Sequence, residues 1–172
     1  MTHRWNIRPQ TKEEIHLRDA LAATLGLNPI ISLLLVQRGI TTADQALHYF
    51  NPDLRDLHDP FLMPDMLKAV KRLNKALGNK ERIMIYGDYD VDGTTAVALV
   101  YKFLRAYSSS IEYYIPDRYD EGYGISFKSI DYAVSRGITL VISLDCGIKA
   151  IDEIAYAKEL GIDFIILSLI HI

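Results

Sequence analysis

Apolar positions recur at helical spacing through the first half of the chain and gather into short unbroken runs through the second. Ile15, Leu17, Leu21 and Leu25, then Ile30, Ile31, Leu33, Leu34 and Leu35, predict two helices parted by the breaker Gly26-Leu27-Asn28-Pro29. Gly39 closes the second, Thr41-Thr42 offers a cap for a third helix around Ala43 to Tyr49, and Asn51-Pro52 ends it. Asp56 to Pro64 carries two prolines among mixed residues and reads as an irregular connector. A fourth helix is predicted over Asp65 to Leu77, stopping at Gly78-Asn79.

Beyond that point the rhythm changes. Ile83 to Tyr86, Ile111 to Ile115, Leu140 to Leu144 and Phe164 to Ile166 are apolar runs of strand length, separated by helical patterns at Thr94 to Tyr107, Phe127 to Arg136 and Ala150 to Leu160. Strands that alternate with helices require crossover connections, so the expected fold class is α/β: a mostly parallel sheet with flanking helices, preceded by a helical leader. In such sheets ligands bind where strands end and turns begin.

Composition narrows the picture. Nearly half of the 172 residues are hydrophobic, enough for a core, yet no run approaches the roughly 18 apolar residues that span a bilayer. Residues 1–10 lack the pattern of a signal peptide, and the single cysteine, Cys146, forms no internal disulfide, so a cytoplasmic location with no membrane partner is expected. The net charge of −3 is unevenly spread, with 12 Lys and Arg against 9 Asp and Glu up to Arg82, and 7 against 13 after it. The acidic half is the informative one, because its carboxylates cluster.

The loop after the first predicted strand reads Tyr86-Gly87-Asp88-Tyr89-Asp90-Val91-Asp92-Gly93-Thr94-Thr95. Three alternating carboxylates repel one another, and hard divalent cations are what makes such a set favourable. Gly87 and Gly93 free the backbone to turn them together, and Thr94 or Thr95 can cap the following helix. Asp88, Asp90, Asp92 and Gly93 also match the first half of an EF-hand loop, but its twelfth position is Leu99 where a bidentate Glu is needed, and a strand precedes it, so that reading fails.

A second acidic strand end, Asp145-Cys146-Gly147, follows Leu140 to Leu144. With parallel strands Asp145 falls on the same sheet edge as the first loop, where it can bridge two ions about 3.5 to 4 Å apart, as in phosphoryl transfer. Taken alone, an Asp after a strand reads first as a helix cap. Cys146, among apolar and acidic neighbours, reads as a small buried residue rather than a nucleophile. The loop Pro116-Asp117-Arg118-Tyr119-Asp120-Glu121-Gly122-Tyr123-Gly124 suits ligand contact, with Arg118 either on a phosphate or paired to Asp120 or Glu121.

Residues 85–96, the 116–124 loop and Ser143-Leu144-Asp145-Cys146-Gly147 are similar to the first motif, the substrate loop and the second motif of the RecJ-type nucleases of the DHH phosphoesterase superfamily. Arg38 to Thr42, Asn51 to Leu54 and Asp59 to Met63 resemble the helical leader of those nucleases. The resemblance implies a two-metal hydrolase using manganese or magnesium that removes nucleotides from the 5′ end of single-stranded DNA in recombination and repair. It places Asp88, Asp90, Asp92 and Asp145 on the metal-binding and catalytic positions, and Arg118, Tyr123 and Gly124 on the substrate loop. Rival readings are another phosphoesterase of the superfamily, acting on short oligonucleotides, cyclic dinucleotides or polyphosphate, and a non-catalytic DNA-binding scaffold of the same fold.

The expected organisation is a helical leader over residues 1–80, the N-terminal part of the catalytic domain over residues 81–166, and a non-native tail over residues 167–172. After Ile166 the resemblance calls for an Asp-His-His triplet, whereas the chain reads Leu167-Ser168-Leu169-Ile170-His171-Ile172. We expect this tail to be translated adapter from library preparation, His171 to have no ligand role, and the chain as given to be inactive.

Overall fold

The computed structural model describes residues 8–168. It divides into two compact units at Asp59/Pro60.

In the first unit, three helices follow the predicted breaks. Helix α1 (Lys12–Leu25) opens on a capping box between Thr11 and Glu14 and closes at Gly26, whose φ of 65° needs the freedom of glycine. Helix α2 (Pro29–Val36) takes Asn28 as its cap and proline at its first turn, where the missing N–H costs nothing. Helix α3 (Ala43–Phe50) has a second capping box, Thr42 with Gln45. Leu21, Leu35, Val36 and Ala46 meet in a small core. The expected irregular connector, Asp56 to Pro64, starts on the last residue of a short 3-10 turn, Leu54–Asp56 in this unit, and contains another, Pro60–Leu62 in the next.

The second unit is the α/β domain. Helix α4 (Met66–Gly78), grouped in the sequence with the leader, belongs to it. The remaining order is β1 (Arg82–Gly87), α5 (Val91–Arg105), β2 (Ile111–Tyr114), α6 (Phe127–Ser135), β3 (Ile138–Leu144), α7 (Ile151–Glu159) and β4 (Asp163–Leu167). All three strand pairings are parallel, in the order β2-β1-β3-β4. Residues of β1 alternate between faces: Ile83 and Ile85 pack with Ala76 of α4 and Val97 and Leu104 of α5, while Met84 and Tyr86 pack with Ile130 and Ala133 of α6 and Ala157 of α7. Burial on both faces is why β1 and β3 read as continuous apolar runs instead of alternating ones.

Leu167, assigned by sequence to the tail, closes β4 and pairs with Leu144. Ser168 follows it, and Leu169 to Ile172, the last four residues of that tail, lie outside the described residues. Among the described residues no helix is long and apolar enough to cross a membrane.

Candidate metal centre

The register of β1 with β3 aligns Gly87 with Leu144, so Asp88 and Asp145 leave neighbouring strands at the same sheet edge. Helix α5 begins three residues after Asp88, which brings its first turn to that edge as well. The close approach is built on glycines. A Cβ on Gly93 would lie 2.5 Å from Asp88 O and 2.6 Å from Asp88 N, and one on Gly87 would lie 2.4 Å from Val97 Cγ2. Strand end and helix start therefore press backbone against backbone.

The four predicted carboxylates take different roles. Asp88 is fully buried, accepting the Tyr89 N–H on one oxygen at 2.8 Å and the Gly124 N–H on the other at 3.2 Å. Burial foremost, then the nearby Asp90 and Asp145, pushes its carboxyl above the ordinary range, while the two backbone donors pull the other way. Asp90 is the N-cap of α5, its Oδ1 accepting the Gly93 N–H at 2.9 Å. Thr94 and Thr95, expected as caps, lie inside the helix, and Thr94 Oγ1 donates back to Asp90 O at 2.7 Å. The helix starts earlier than its apolar periodicity suggests because Asp90 terminates it better than either threonine. Asp92 occupies the first turn of α5, where the helix dipole favours an anion.

Asp145 is not a helix cap: α7 begins only at Ile151, with Ala150 before it. Its backbone is left-handed, φ 59°, and its N–H donates to Leu167 O at 2.7 Å. Partial burial and then repulsion from Asp90 and Asp92 raise its carboxyl above the ordinary range, so the three carboxylates share one field. Among the described residues no three acidic, histidine or cysteine side chains converge tightly enough to enclose an ion. Asp88 uses both oxygens on backbone N–H groups, whereas Asp90 uses only one, and Asp92 and Asp145 line an open cleft of about 1100 Å³. The donor set, all hard oxygen and mutually repelling, nonetheless fits a hard divalent cation.

The predicted substrate loop packs beside this edge. Gly124 is held at both of its backbone polar groups, its N–H by Asp88 and its C=O by the Tyr86 hydroxyl at 2.5 Å. Tyr123 is half exposed and meets Tyr89 edge-on at 6.1 Å. Arg118 lies over the Tyr89 ring at 5.3 Å. The alternative ion pairs for Arg118 do not form, because Asp120 pairs with Lys128 and Glu121 accepts from Tyr114, Ser126 and the Asp117 N–H. Sequence reasoning missed Tyr86 and Tyr89. Tyr86 reads as a strand residue like its neighbours, and only its pairing to a loop 38 residues away reveals its second task. Cys146 is buried, its thiol pushed up to about 11 chiefly by burial, as the inert reading requires.

Residues 82–167 match the DHH family, N-terminal domain. The chain belongs to the DHH family. It is 39% identical over 163 residues to the single-stranded-DNA-specific exonuclease RecJ of Bacillus subtilis, covering 95% of this chain and 20% of that protein. RecJ of Escherichia coli is 31% identical over 161 residues, covering 90% of this chain and 27% of its own length. The chain thus spans roughly a fifth to a quarter of the length of these curated relatives. Among solved structures, a manganese-bound exonuclease RecJ aligns at a TM-score of 0.54 and 32% identity over 59% of this chain and 26% of that one. RecJ of Thermus thermophilus in complex with Mn2+ aligns at 0.68 over 89% of this chain and 21% of that one; at 24% identity it speaks for the fold of this DHH chain.

Proposed function

We propose that this DHH-family chain is part of a metal-dependent, single-strand-specific 5′ to 3′ DNA exonuclease, acting in the cytoplasm in recombination and repair. The observation that carries the reading is the β1–β3 register, which brings Asp90 and Asp92, at the start of α5, to the same sheet edge as Asp145, at the end of β3, with Asp92 and Asp145 lining one cleft. It is supported by 39% identity to an exonuclease named for single-stranded DNA and by manganese in a related solved structure at 32% identity.

Manganese or magnesium is the cofactor this oxygen set suits, with Asp90, Asp92 and Asp145 as the residues to hold it. When bound, such ions supply Lewis-acid activation of water and neutralise charge on phosphate oxygens. Asp88, grouped in the sequence with the ligands, serves from behind by fixing the Gly124 peptide against the carboxylate edge. Gly124 then presents Tyr123 and the 116–124 loop to the substrate. Arg118, free of carboxylate partners, has a fork-shaped guanidinium suited to a phosphate. The described part of the α/β unit brings no histidine to the site, so the 172-residue chain alone is expected to hold ions weakly and to turn over no DNA.

The deciding experiment is a chimera in which residues 8–167 replace the matching segment of the B. subtilis exonuclease. It should degrade a 3′-labelled single strand from its 5′ end with manganese, and Asp90→Ala should abolish this. A chimera that folds but leaves single strands intact, or that keeps its activity with Asp90→Ala, would refute the reading.

A further inference from the structure

Helix α4 carries a row of cations that the fold does not neutralise. Lys68, Lys71 and Lys75 are exposed at i, i+3 and i+7, which puts them on one helix face over about 10 Å. In the same unit Arg72, also on α4, pairs with Glu81 and Asp163, Arg82 and Arg136 with Glu112, and Lys128 with Asp120, while the scattered Lys80, Lys102, Lys149 and Lys158 have no ion pair among the described residues but form no row. Among the described residues the three lysines have no ion pair or hydrogen bond. The last turn explains Lys75, since a cation there complements the helix dipole. It does not explain Lys68, which stands in the first turn, where the dipole opposes it.

The row also has apolar company. Phe61, Met63 and Leu67 are all about half exposed, and together with Met66, Lys68, Lys71 and a single acid, Asp65, they line a shallow cleft of about 490 Å³. That cleft shares the walls Met63, Asp65, Met66 and Lys68 with the larger one, which runs on to Asp92 and Asp145. A cationic edge beside aromatic and thioether surface is the combination that binds a single nucleic-acid strand, with phosphates on the lysines and bases on the apolar faces. An acidic protein segment would use the lysines and leave the apolar cleft idle. A duplex, its bases stacked inside, would do the same.

We infer that the Lys68, Lys71 and Lys75 face of α4, with the Phe61 and Met63 cleft, is a docking track for single-stranded nucleic acid leading to the carboxylate edge. This rests on the proposed function and adds to it a surface outside the carboxylate motifs and the 116–124 loop.

The test uses the 172-residue chain without metal, in EDTA, and a fluorescent oligothymidylate read by anisotropy. Three phosphate contacts on a single strand should contribute about two units of log–log salt slope. The K68Q/K71Q/K75Q variant should therefore lose roughly tenfold in affinity at low salt and flatten the slope by about two. The Arg-for-Lys triple variant should retain both, and the equally neutralised K80Q/K102Q/K158Q variant should behave like the parent. Strong single-strand binding unchanged by K68Q/K71Q/K75Q would overturn the track while leaving the exonuclease reading standing. Tighter binding of the parent to duplex than to single strand would overturn both, and so would an absence of DNA binding paired with an inactive chimera.

Discussion

The buried carboxylate of Asp88 holds the Gly124 N–H at 3.2 Å, so a residue at the end of β1 fixes a loop 36 positions further along the chain. Its other oxygen takes the Tyr89 N–H. Asp88→Ala would leave both part-buried donors without acceptors, at up to about 1 to 3 kcal/mol each, partly offset by removing a carboxylate that burial disfavours. The expected net loss is on the order of 2 kcal/mol, with faster amide hydrogen exchange across residues 116–126. Unchanged protection at Gly124 would show that the loop is held by other means.

Gly93 and Gly78 make a matched pair of opposite sign. Alanine at Gly93 drives a Cβ into the Asp88 backbone, which cannot yield as a flexible side chain would, so Gly93→Ala should cost about 3 kcal/mol or more and spoil the metal edge. Gly78 ends α4 with nothing within 4 Å, and Gly78→Ala should stabilise by about 0.5 to 1 kcal/mol. Urea melts of both variants decide the matter. Equal effects would mean that the strand end and the helix start are not in contact.

The contrast between those glycines marks how far the sequence reaches. The strands were legible because β1 and β3 are covered on both faces, and burial leaves an apolar run that needs no tertiary knowledge to see. The carboxylate edge was legible because parallel strands must end together. What could not be read was the division of labour within Asp88-Tyr89-Asp90-Val91-Asp92. Three identical side chains at alternate positions differ only in what three-dimensional packing offers them: a loop amide, a helix N-terminus or an open cleft. Helix α4 is a similar case. Its extent was legible, yet only the structure shows Leu73, Ala76 and Leu77 packed with the sheet residues Ile83 and Ile85.

The field among Asp90, Asp92 and Asp145 predicts a pH-dependent gain from neutralising one of them. Asp145 has its carboxyl raised above the ordinary 3.8, so ionisation is harder in the folded chain than in the unfolded one. The resulting deficit is absent below the unfolded value and develops as pH rises through the higher folded one. Asp145→Asn removes it, and asparagine tolerates the left-handed backbone at φ 59°. The variant should melt up to a few degrees above the parent at pH 7, an effect under about 1 kcal/mol after solvent screening, and should match it near pH 3. Millimolar manganese should raise the parent's melting temperature more than the variant's. A variant less stable than the parent at pH 7 would contradict the shared field.

Cys146 offers a probe of whether the α/β unit opens locally or as a whole. Its side chain is packed in the core with Tyr86, Ile125 and Val141, and Ser143 Oγ lies 3.4 Å from its sulfur and bonds its carbonyl at 2.6 Å. Burial raises the thiol to about 11, and the carboxylates Asp88, Asp145 and Asp90 push in the same direction. At pH 8 the thiolate is therefore scarce as well as enclosed, and both must change before a disulfide reagent reacts. Labelling of the native chain should be slower than that of an unstructured cysteine by a factor approaching the folding equilibrium constant. The rate should also climb with urea along the slope measured for global unfolding. The loop that covers Cys146 depends on Gly147, where φ is 104° and a Cβ would strike Ile125 Cδ1 at 2.6 Å. Gly147→Ala should therefore open the thiol selectively, raising its labelling rate more than the loss of global stability accounts for. Rapid labelling of the parent without denaturant would show instead that the β3 end, and Asp145 with it, is loosely held.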